Sequence, residues 1–584
     1  MKIFKILGIL SLFITSSCSN PKQETKNVPD EEKLHTILTE IEEREGYDKK
    51  KYPLGLFTKE YFKKEAEFAK DKITKLKNID AALLKETDKI SLELLKFTLQ
   101  QSIDFYTFEN YLNPLLSDSG FHNNLNYIVK PLTNYTQVKE YLNTLNAIPE
   151  FAEQHYKNLR EGLEKGVSQP RVIFNGYEST YNDHIVENAE ESYFYSPFKN
   201  LPQSLNQNQK DSILNTANKV IKNKVIPEFK KIKTFFETEY LPKTRTTLGV
   251  SQTPNGKAYY QNRINFYTTS TKYTAEDIHH IGLKEVARIN AQMQQIIKDL
   301  NFKGSFSDFF TFLRTDKQFY AKTPQELLRI ARDMAKRADE QLPRFFKTLP
   351  RKPYGVAPVP DAIAPKYTSG RYIGTEANST EPGYYWVNTY DLPSRTLYTL
   401  PALTVHEAVP GHHLQGSLNN ELGDSIPQFR KDLYLSAYGE GWGLYSEFLA
   451  EEMGMYTTPY EHFGKLTYEM WRACRLVVDT GIHAKGWTRE QAIEFMAANT
   501  ALSIHEIHTE TDRYISWPGQ ALSYKIGELK IRELRKKAET ELKDKFDIRE
   551  FHEIILEQGT VTLSILENRI NRYIEKTKNG KKPL

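Results

Sequence analysis

The sequence predicts a mainly α-helical protein with a small β-sheet edge beside one unusual helix. Three observations support this prediction. Apolar residues recur at three-to-four spacing through several long segments. Several of these segments begin with Thr or Asp followed about three residues later by Glu or Gln, which is a helix-start signature. Pro and Gly concentrate in one stretch, residues 350–400, which breaks the helical pattern.

Composition indicates a water-soluble fold with ample core material. The 584 residues suffice for one large domain or two to three ordinary ones, and the mean hydropathy is -0.59. Lys and Arg number 79 against 75 Asp and Glu, so the net charge is only +4. Lysine runs such as YDKKKYP and KIRELRKKAETELKDK carry interspersed acidic residues or lack interleaved aromatics. They are typical of solvated helix faces, and we expect no nucleic-acid partner.

The N-terminus predicts an export signal, residues 1–17. Lys2 and Lys5 precede an apolar stretch that is too short to span a bilayer. The sequence TSSC resembles a lipobox, so we expect Cys18 to be lipidated and to be the only membrane attachment. Thr15 stands where Leu is commoner, and an ordinary cleaved signal with an incidental cysteine is the alternative.

The polar residues 18–32 predict a flexible tether after the lipidated cysteine. Ser19 is compatible with sorting to the outer membrane of a Gram-negative cell. The only other cysteine is Cys474, so no internal disulfide can form and stability must come from a large core.

Helical patterns fill two predicted parts, residues 33–245 and residues 246–584. The first contains ITKLKNIDAALLKETDKISLELLKF and DSILNTANKVIKNKVIPEFKKIKTFF, and the second contains TAEDIHHIGLKEVARINAQMQQIIKDL and TPQELLRIARDMAKRADEQL. Between helices of the second part, GYYWVNTY at residues 383–390 predicts a strand. An extended peptide could pair with an open strand edge there, and a purely structural hairpin is the alternative.

The segment TVHEAVPGHHLQ, residues 404–415, combines three of the chain's fourteen histidines with a Pro-Gly pair. Zinc needs ligand nitrogens about 3–4 Å apart, but on a regular helix His406 and His413 lie about 10 Å apart along the axis. Pro410 breaks the helix and Gly411 lets the chain bulge. A bulge of two residues would return His412 to the fifth position of an HExxH pattern. A bulge of three would place His413 there.

The residue types suit a zinc site with a catalytic base. Glu407 follows the first histidine, where a carboxylate can take a proton from an attacking water. Glu440, downstream in SAYGEGWGLYSE, is the expected third ligand, and Glu447 is either its alternative or a partner of a ligand histidine. The alternative for the whole segment is a His- and Glu-rich helix start held by hydrogen bonds.

Four motifs carry a resemblance to a known family: HEAVPGHHLQ, EGWGLYSE, RLVVDTGIHAKGWT and DRYISWPGQALSYKIG. Over residues 30–575 the chain resembles the bacterial exported proteins of domain-of-unknown-function family 885, grouped with the HExxH metallopeptidase clan. Its likeness to Taq-type carboxypeptidase, angiotensin-converting enzyme and the oligopeptidases implies an all-helical metallopeptidase-like fold with a deep cleft. The resemblance implies action on short peptides and supplies no particular substrate.

The resemblance also implies roles for single residues. It places the metal ligands on His406, His412 and Glu440. It places the general base on Glu407. Similarity of PGQALSYKIG to the carboxypeptidases makes Tyr524 the candidate for stabilising the oxyanion. Arg513 and Tyr514 are candidates for holding a peptide carboxylate or carbonyl.

Beyond the resemblance, the residues after Pro518 predict a shared helix face. Gln520, Tyr524 and Glu528 follow at four-residue steps, so they line either a cleft that binds substrate or a polar seam between helices.

The sequence thus predicts a lipid-anchored hydrolase with one Zn²⁺ per chain that cleaves short peptides. A carboxypeptidase or dipeptidase mode is favoured because Arg513 could bind a terminal carboxylate. One alternative is a peptide-binding lipoprotein without catalytic activity. Another is a metal-dependent amidase that acts on a cell-wall or other non-peptide amide.

Overall fold

A computed structural model describes residues 28–361, 363–376, 379–423 and 426–580. The predicted signal peptide and Cys18 lie outside the described residues, and so does most of the predicted tether. Helix α1 begins at Asp30, so residues 30–32, at the end of the predicted tether, are helical. The acidic first turn of α1, which complements the helix dipole, explains why the helix starts this early.

The described chain is mainly helical, as predicted. Before the sheet it forms α1 (Asp30–Glu42), α2 (Lys59–Leu76), α3 (Glu86–Thr107), α4 (Tyr135–Glu164), α5 (Ser179–Asn182), α6 (Gln207–Val220), α7 (Ile226–Thr234), α8 (Gly256–Tyr267), α9 (Ala275–Asp299), α10 (Phe306–Thr315) and α11 (Pro324–Phe345). After the sheet it forms α12 (Leu400–Glu407), α13 (His412–Asn420), α14 (Gln428–Asp432), α15 (Ser436–Glu452), α16 (Pro459–Lys485), α17 (Arg489–Asn499), α18 (Ile504–Ser516), α19 (Ser523–Leu542), α20 (Ile548–Leu556) and α21 (Leu563–Lys578).

The helix-start signatures in the sequence have the expected structural cause. At α9 the Thr274 hydroxyl accepts the backbone N–H of Asp277, while the Asp277 carboxylate accepts the N–H of Thr274. Thr458 caps α16 in the same reciprocal way. These bonds satisfy amide groups that have no partner inside the helix, so they fix where each helix begins.

Helix α16 is the centre of the C-terminal part of the fold. All of its residues from Phe463 to His483 are buried, and it packs along α9 and contacts α12, α17 and α18. A helix that is buried on every side holds its polar side chains in fixed positions. The main apolar core contains residues from both predicted parts of the chain. The division at residue 245 stays a prediction.

The small sheet has three strands, β1 (Tyr354–Pro358), β2 (Gly370–Ile373) and β3 (Gly383–Val387), in the order β1–β3–β2. Strand β3 pairs in parallel with β1 and antiparallel with β2. The strand predicted in residues 383–390 therefore exists, but it is central and does not form the open edge. Its alternating burial is what made it detectable. The edge facing the histidine helix belongs to β2.

None of the helices in the described ranges combines the length and the apolar character that crossing a bilayer requires.

Candidate metal centre

The Pro-Gly pair interrupts the helix between α12 and α13. The N–H of Gly411 donates to the carbonyl of Val405, six residues back, at 2.9 Å, whereas a regular helix reaches back four. Two extra residues are thereby accommodated before the helix resumes at His412. The Trp442 indole N–H donates to the Pro410 carbonyl at 2.8 Å and holds the bulge against α15.

Gly411 is required by this bulge because the backbone comes very close to itself. A Cβ on Gly411 would lie 1.9 Å from the carbonyl oxygen of His406. Any other residue would force the two ends of the interruption apart and would displace the histidines on either side.

Two histidines and a glutamate converge across the interruption. The ligand atoms of His406, His412 and Glu440 all lie within 4.8 Å of one another. The Oε2 atom of Glu440 is 3.6 Å from His406 Nε2 and 3.4 Å from His412 Nε2. Two imidazole nitrogens and a carboxylate oxygen are a donor set typical of zinc with one coordination position left open, so these residues fit the metal.

His413 lies outside this group. Its ring is 4.6 Å from the ring of Tyr354, and its Nδ1 is 3.2 Å from the Ser417 hydroxyl. Of the two alternatives left open by the sequence, the structure places His412 beside His406.

Glu447 lies behind His406 and not within the group. Its Oε1 atom is 2.8 Å from His406 Nδ1, and Arg472 Nη2 is 3.5 Å from the same oxygen. A carboxylate in this position fixes the orientation and the tautomer of the imidazole, so that Nε2 points to the other ligands. Gly443 leaves room for this packing, since a Cβ there would lie 2.7 Å from the His406 ring.

The carboxylates control the protonation of the group. Burial lowers the pKa of His406, but hydrogen bonds to Glu440 and Glu447 outweigh burial and raise the pKa to about 10. Burial raises the pKa of Glu440, yet the charges and hydrogen bonds of His412 and His406 hold it well below its usual range. The site therefore favours positive charge between its carboxylates, which a divalent cation also provides.

Glu407 faces the edge of β2. Its Oε2 atom accepts the backbone N–H of Tyr372 at 2.8 Å, and the residue is buried. Its other oxygen has no hydrogen bond within the described residues. One oxygen thus fixes the carboxylate while the other stays available for a proton.

Tyr524, the second residue of α19, is buried beneath the guanidinium of Arg475, whose carbon lies 4.3 Å from the ring centroid. Its hydroxyl has no hydrogen bond within the described part of the chain. Burial raises the pKa of Tyr434 most, and Glu440 and Tyr524 both raise it further, so both act on the Tyr434 hydroxyl.

The other predicted substrate residues are engaged within the protein. Arg513 lies 3.5 Å from Glu510 and donates to Gln520 at 3.3 Å. Tyr514 is buried, and its hydroxyl accepts the Trp471 indole N–H at 2.9 Å. The structure does not bring Arg513, Tyr514 or Gln520 within hydrogen-bonding distance of the three-residue group.

The predicted helix face from Gln520 to Glu528 is divided. Gln520 lies in a short 3₁₀ turn before α19, whereas Tyr524 and Glu528 lie within α19. Glu528 pairs with Lys525 at 2.9 Å in a buried network of ion pairs. Glu528 therefore belongs to a seam between helices. Pro518 and Gly519 end the helical path before Gln520.

Two residues near the site were missed in the sequence. One is Tyr434, whose hydroxyl donates to Glu440 Oε1 at 2.9 Å. The sequence feature that could have indicated this contact is Gly439, where a Cβ would lie 2.5 Å from the Tyr434 ring. Arg371 on β2 is the other. Burial lowers its pKa, but Tyr367, Glu407 and Glu440 raise it, so the charges of the site act on its guanidinium. No motif in the sequence marks it.

Known proteins resemble the chain over nearly all its length. The family model described as bacterial protein of unknown function (DUF885) matches residues 42–570. The crystal structure of a candidate lipoprotein from Colwellia psychrerythraea is 27% identical, has a TM-score of 0.85, and aligns over 94% of this chain and 100% of that one.

A candidate lipoprotein of unknown function from Shewanella oneidensis shares the fold at 18% identity, with a TM-score of 0.68 over 92% of this chain and 99% of that one. No curated protein matches. On the match of its family model, the chain belongs to the bacterial proteins of unknown function of family DUF885.

Proposed function

We propose that the chain is a zinc-dependent hydrolase of peptide bonds in short peptides. The observation that carries this proposal is the convergence of His406, His412 and Glu440, whose ligand atoms lie within 4.8 Å of one another. Glu407, next to the first ligand, and Glu447, bonded to that ligand, add the two carboxylates that such a site needs.

Each residue has a role in the proposed reaction. Bound zinc would act as a Lewis acid and would lower the pKa of water. Glu407 would take a proton from the attacking water and pass it to the leaving amine. The Tyr524 hydroxyl, which has no hydrogen bond within the described residues, would donate to the carbonyl oxygen as that oxygen gains charge.

The edge of β2 supports a peptide as the substrate. The backbone N–H of Tyr372 points away from β3 and donates to Glu407. The carbonyl of the same residue, and the backbone groups of Gly370 two positions earlier, point to the same side of the strand. An extended peptide could pair with these groups beside Glu407, which favours a peptidase over an amidase for non-peptide amides.

The carboxypeptidase or dipeptidase mode stays part of the proposal. Arg513 is already bonded to Glu510 and Gln520, whereas Arg371 has no carboxylate within ion-pair distance among the described residues. Arg371 is therefore the better candidate for a terminal carboxylate.

We also propose that the protein is exported and anchored through lipidated Cys18, to the outer membrane of a Gram-negative cell. The lipobox-like TSSC and the description of two similar structures as candidate lipoproteins support this proposal. Fractionation of cells carrying Cys18→Ser tests it. Release of the variant from the membrane is expected, and unchanged membrane association would contradict the anchor.

Metal content is the first test of the proposed function. We expect about one zinc per chain in the mature protein by elemental analysis, with loss of the metal in His406→Ala and in His412→Ala. His413→Ala is the matched control and should keep the metal, because His413 faces Tyr354 and Ser417. Well-folded protein that takes up no zinc would contradict the proposal.

Glu407→Gln separates hydrolysis from binding. The variant should keep its zinc and its peptide affinity while turnover falls about 10²- to 10⁴-fold, the range for loss of a general base. Dipeptides, longer oligopeptides and muropeptides form the substrate panel. Zinc-loaded wild-type protein that binds peptides but cleaves none of them would favour the peptide-binding alternative. Cleavage of muropeptide amides alone would favour the amidase.

A further inference from the structure

A cavity of about 330 Å³ lies between the end of β3, the start of α12, α16 and the segment before α18. Its lining residue Leu403 is one turn before His406, which with His412 and Glu440 forms what we call the metal group. About half of its lining residues are apolar or aromatic, among them Val387, Tyr398, Leu400, Leu403 and Tyr468. Exposed residues, among them Ile504, form its rim. The volume is suited to a ligand the size of one amino acid.

Four charged residues line this cavity, Arg314, Asp391, Arg395 and Glu506. Of these, Arg395 and Glu506 have opposite signs and do not pair with each other. Arg395 donates only to neutral acceptors, the Tyr390 carbonyl at 3.3 Å and the Ser369 hydroxyl at 3.1 Å. Among the described residues no carboxylate oxygen lies within 4.0 Å of its guanidinium. The carboxyl group of Glu506, which also lines the cavity, makes no hydrogen bond or ion pair within the same ranges.

For both groups, burial outweighs the opposite charges nearby. Burial lowers the pKa of Arg395, although Glu506 acts in the opposite direction. Burial and Glu510 raise the pKa of Glu506 to about 7, although Arg395, Arg472 and other arginines oppose this. Partly buried charges without partners are costly and require an explanation, and a ligand that pairs with both provides one.

We propose that this cavity binds the zwitterionic group of an α-amino acid, with the carboxylate against Arg395, the ammonium against Glu506 and the side chain among the apolar wall residues. Arginine forms charge-assisted hydrogen bonds with a carboxylate, and a carboxylate accepts those of an ammonium group. The two protein charges do not touch, so a ligand carrying both complementary charges can lie between them.

The position of the cavity connects it to the metal group. Leu403 in its wall is followed on the same helix by His406, and Tyr468 is followed one turn later by Arg472, which contacts Glu447. In the proposed peptidase, the cavity would hold an amino acid released by hydrolysis. This role as a product site rests on the proposed function, whereas the binding of an amino acid does not.

Calorimetric titration of the mature protein tests the binding. The probes are L-leucine, 4-methylpentanoate, which lacks the ammonium, and 3-methylbutylamine, which lacks the carboxylate. Leucine should bind at least about tenfold more tightly than either analogue, since each charge-assisted pair contributes about that factor or more. Glycine and L-phenylalanine test smaller and larger side chains. No binding by any of the three amino acids would overturn the proposal.

Two variants assign the charges. Arg395→Gln should weaken leucine and 4-methylpentanoate about tenfold or more and leave 3-methylbutylamine unchanged. Glu506→Gln should show the converse pattern. Arg395→Lys, which keeps the charge, should retain most of the affinity and controls for folding. Equal losses for all three ligands in both variants, or no loss in either, would contradict the assignment.

The metal group supplies a control that separates this proposal from the proposed function. His412→Ala should lose zinc yet bind leucine as the wild type does, because His412 does not line the cavity. In the wild type, leucine binding without any zinc binding would overturn the peptidase and keep the amino-acid site. Zinc-dependent hydrolysis without leucine binding would overturn the amino-acid site and keep the peptidase.

Discussion

His155 of the N-terminal aromatic core and His406 of the metal group are equally hidden from solvent, each with 3% of its surface exposed. Their surroundings differ. The His155 ring lies 4.7 Å from the rings of both Phe121 and Phe151, and neither of its nitrogens has a hydrogen-bond partner among the described residues. Both nitrogens of His406 face a carboxylate.

The two environments shift the pKa values of the two histidines in opposite directions. Burial lowers the pKa of His155 to about 3, whereas hydrogen bonds to Glu440 and Glu447 outweigh burial and raise the pKa of His406 to about 10. Desolvation alone therefore produces a neutral ring that packs like an aromatic side chain. Burial together with carboxylates produces a ring that is oriented and available to a cation. The carboxylates, and not the burial, distinguish the candidate ligand His406 from the core histidine His155.

The largest expected effect is acid destabilisation through the N-terminal core. Burial lowers the pKa values of His122 and His155 from 6.5 to about 3. Between these pH values the unfolded chain binds protons at these histidines and the folded chain does not. Stability is fully present above pH 6.5 and falls as the pH drops toward 3. Each histidine should contribute a loss of about 1.4 kcal/mol per pH unit. Urea unfolding between pH 7 and pH 4 measures the slope.

Substitution of one histidine sharpens this expectation. His155→Phe should reduce the pH dependence of the unfolding free energy by the share of one histidine, because an aromatic ring that cannot bind a proton fills the same space. His508→Gln, on the exposed face of α18, is the matched control and should leave the slope unchanged. An unaltered slope in His155→Phe would show that other groups cause the acid sensitivity.

The next effect should come from removing the carboxylate behind the ligand. Glu447→Gln removes the charge that holds His406 Nδ1, so zinc affinity should fall about 10- to 100-fold. Competition with a chromogenic chelator measures the affinity. Glu451→Gln, one turn further along α15 and exposed, should change the affinity little. Equal zinc affinity in Glu447→Gln and wild type would show that the His406 ring keeps its orientation without Glu447.

Much of the fold could be predicted from the sequence because the signals are local. Apolar spacing and Thr-plus-acid starts depend on neighbours within one turn, and α9 and α11 begin where these signals predict. The bulge could be predicted in the same way, since Pro410 and Gly411 impose it on their own helix. Strand β3 was found, but not its central place, because pairing order is set by β1 and β2.

Contacts between distant segments could not be predicted. Arg371 precedes His406 by more than thirty residues, and Glu407 and Glu440 act on its charge only because β2 docks on α12. Glu440 and Glu447 were both candidates for the third ligand, and only the packing of α15 against α12 separates them. The partners of Arg513 likewise depend on the turn between α18 and α19, for which its residue type gives no signal.

The smallest effect should follow from removing the hydroxyl that contacts the glutamate ligand. Tyr434→Phe deletes the 2.9 Å hydrogen bond to Glu440 Oε1 and leaves Glu440 Oε2 facing the histidines. Zinc affinity should fall about threefold to tenfold, because one hydrogen bond to a charged group at a half-exposed residue is lost. Tyr390→Phe, equally exposed, is the control and should have no effect. A loss in Tyr434→Phe as large as in Glu447→Gln would mean that the glutamate, and not the histidine, is the ligand whose orientation limits the affinity.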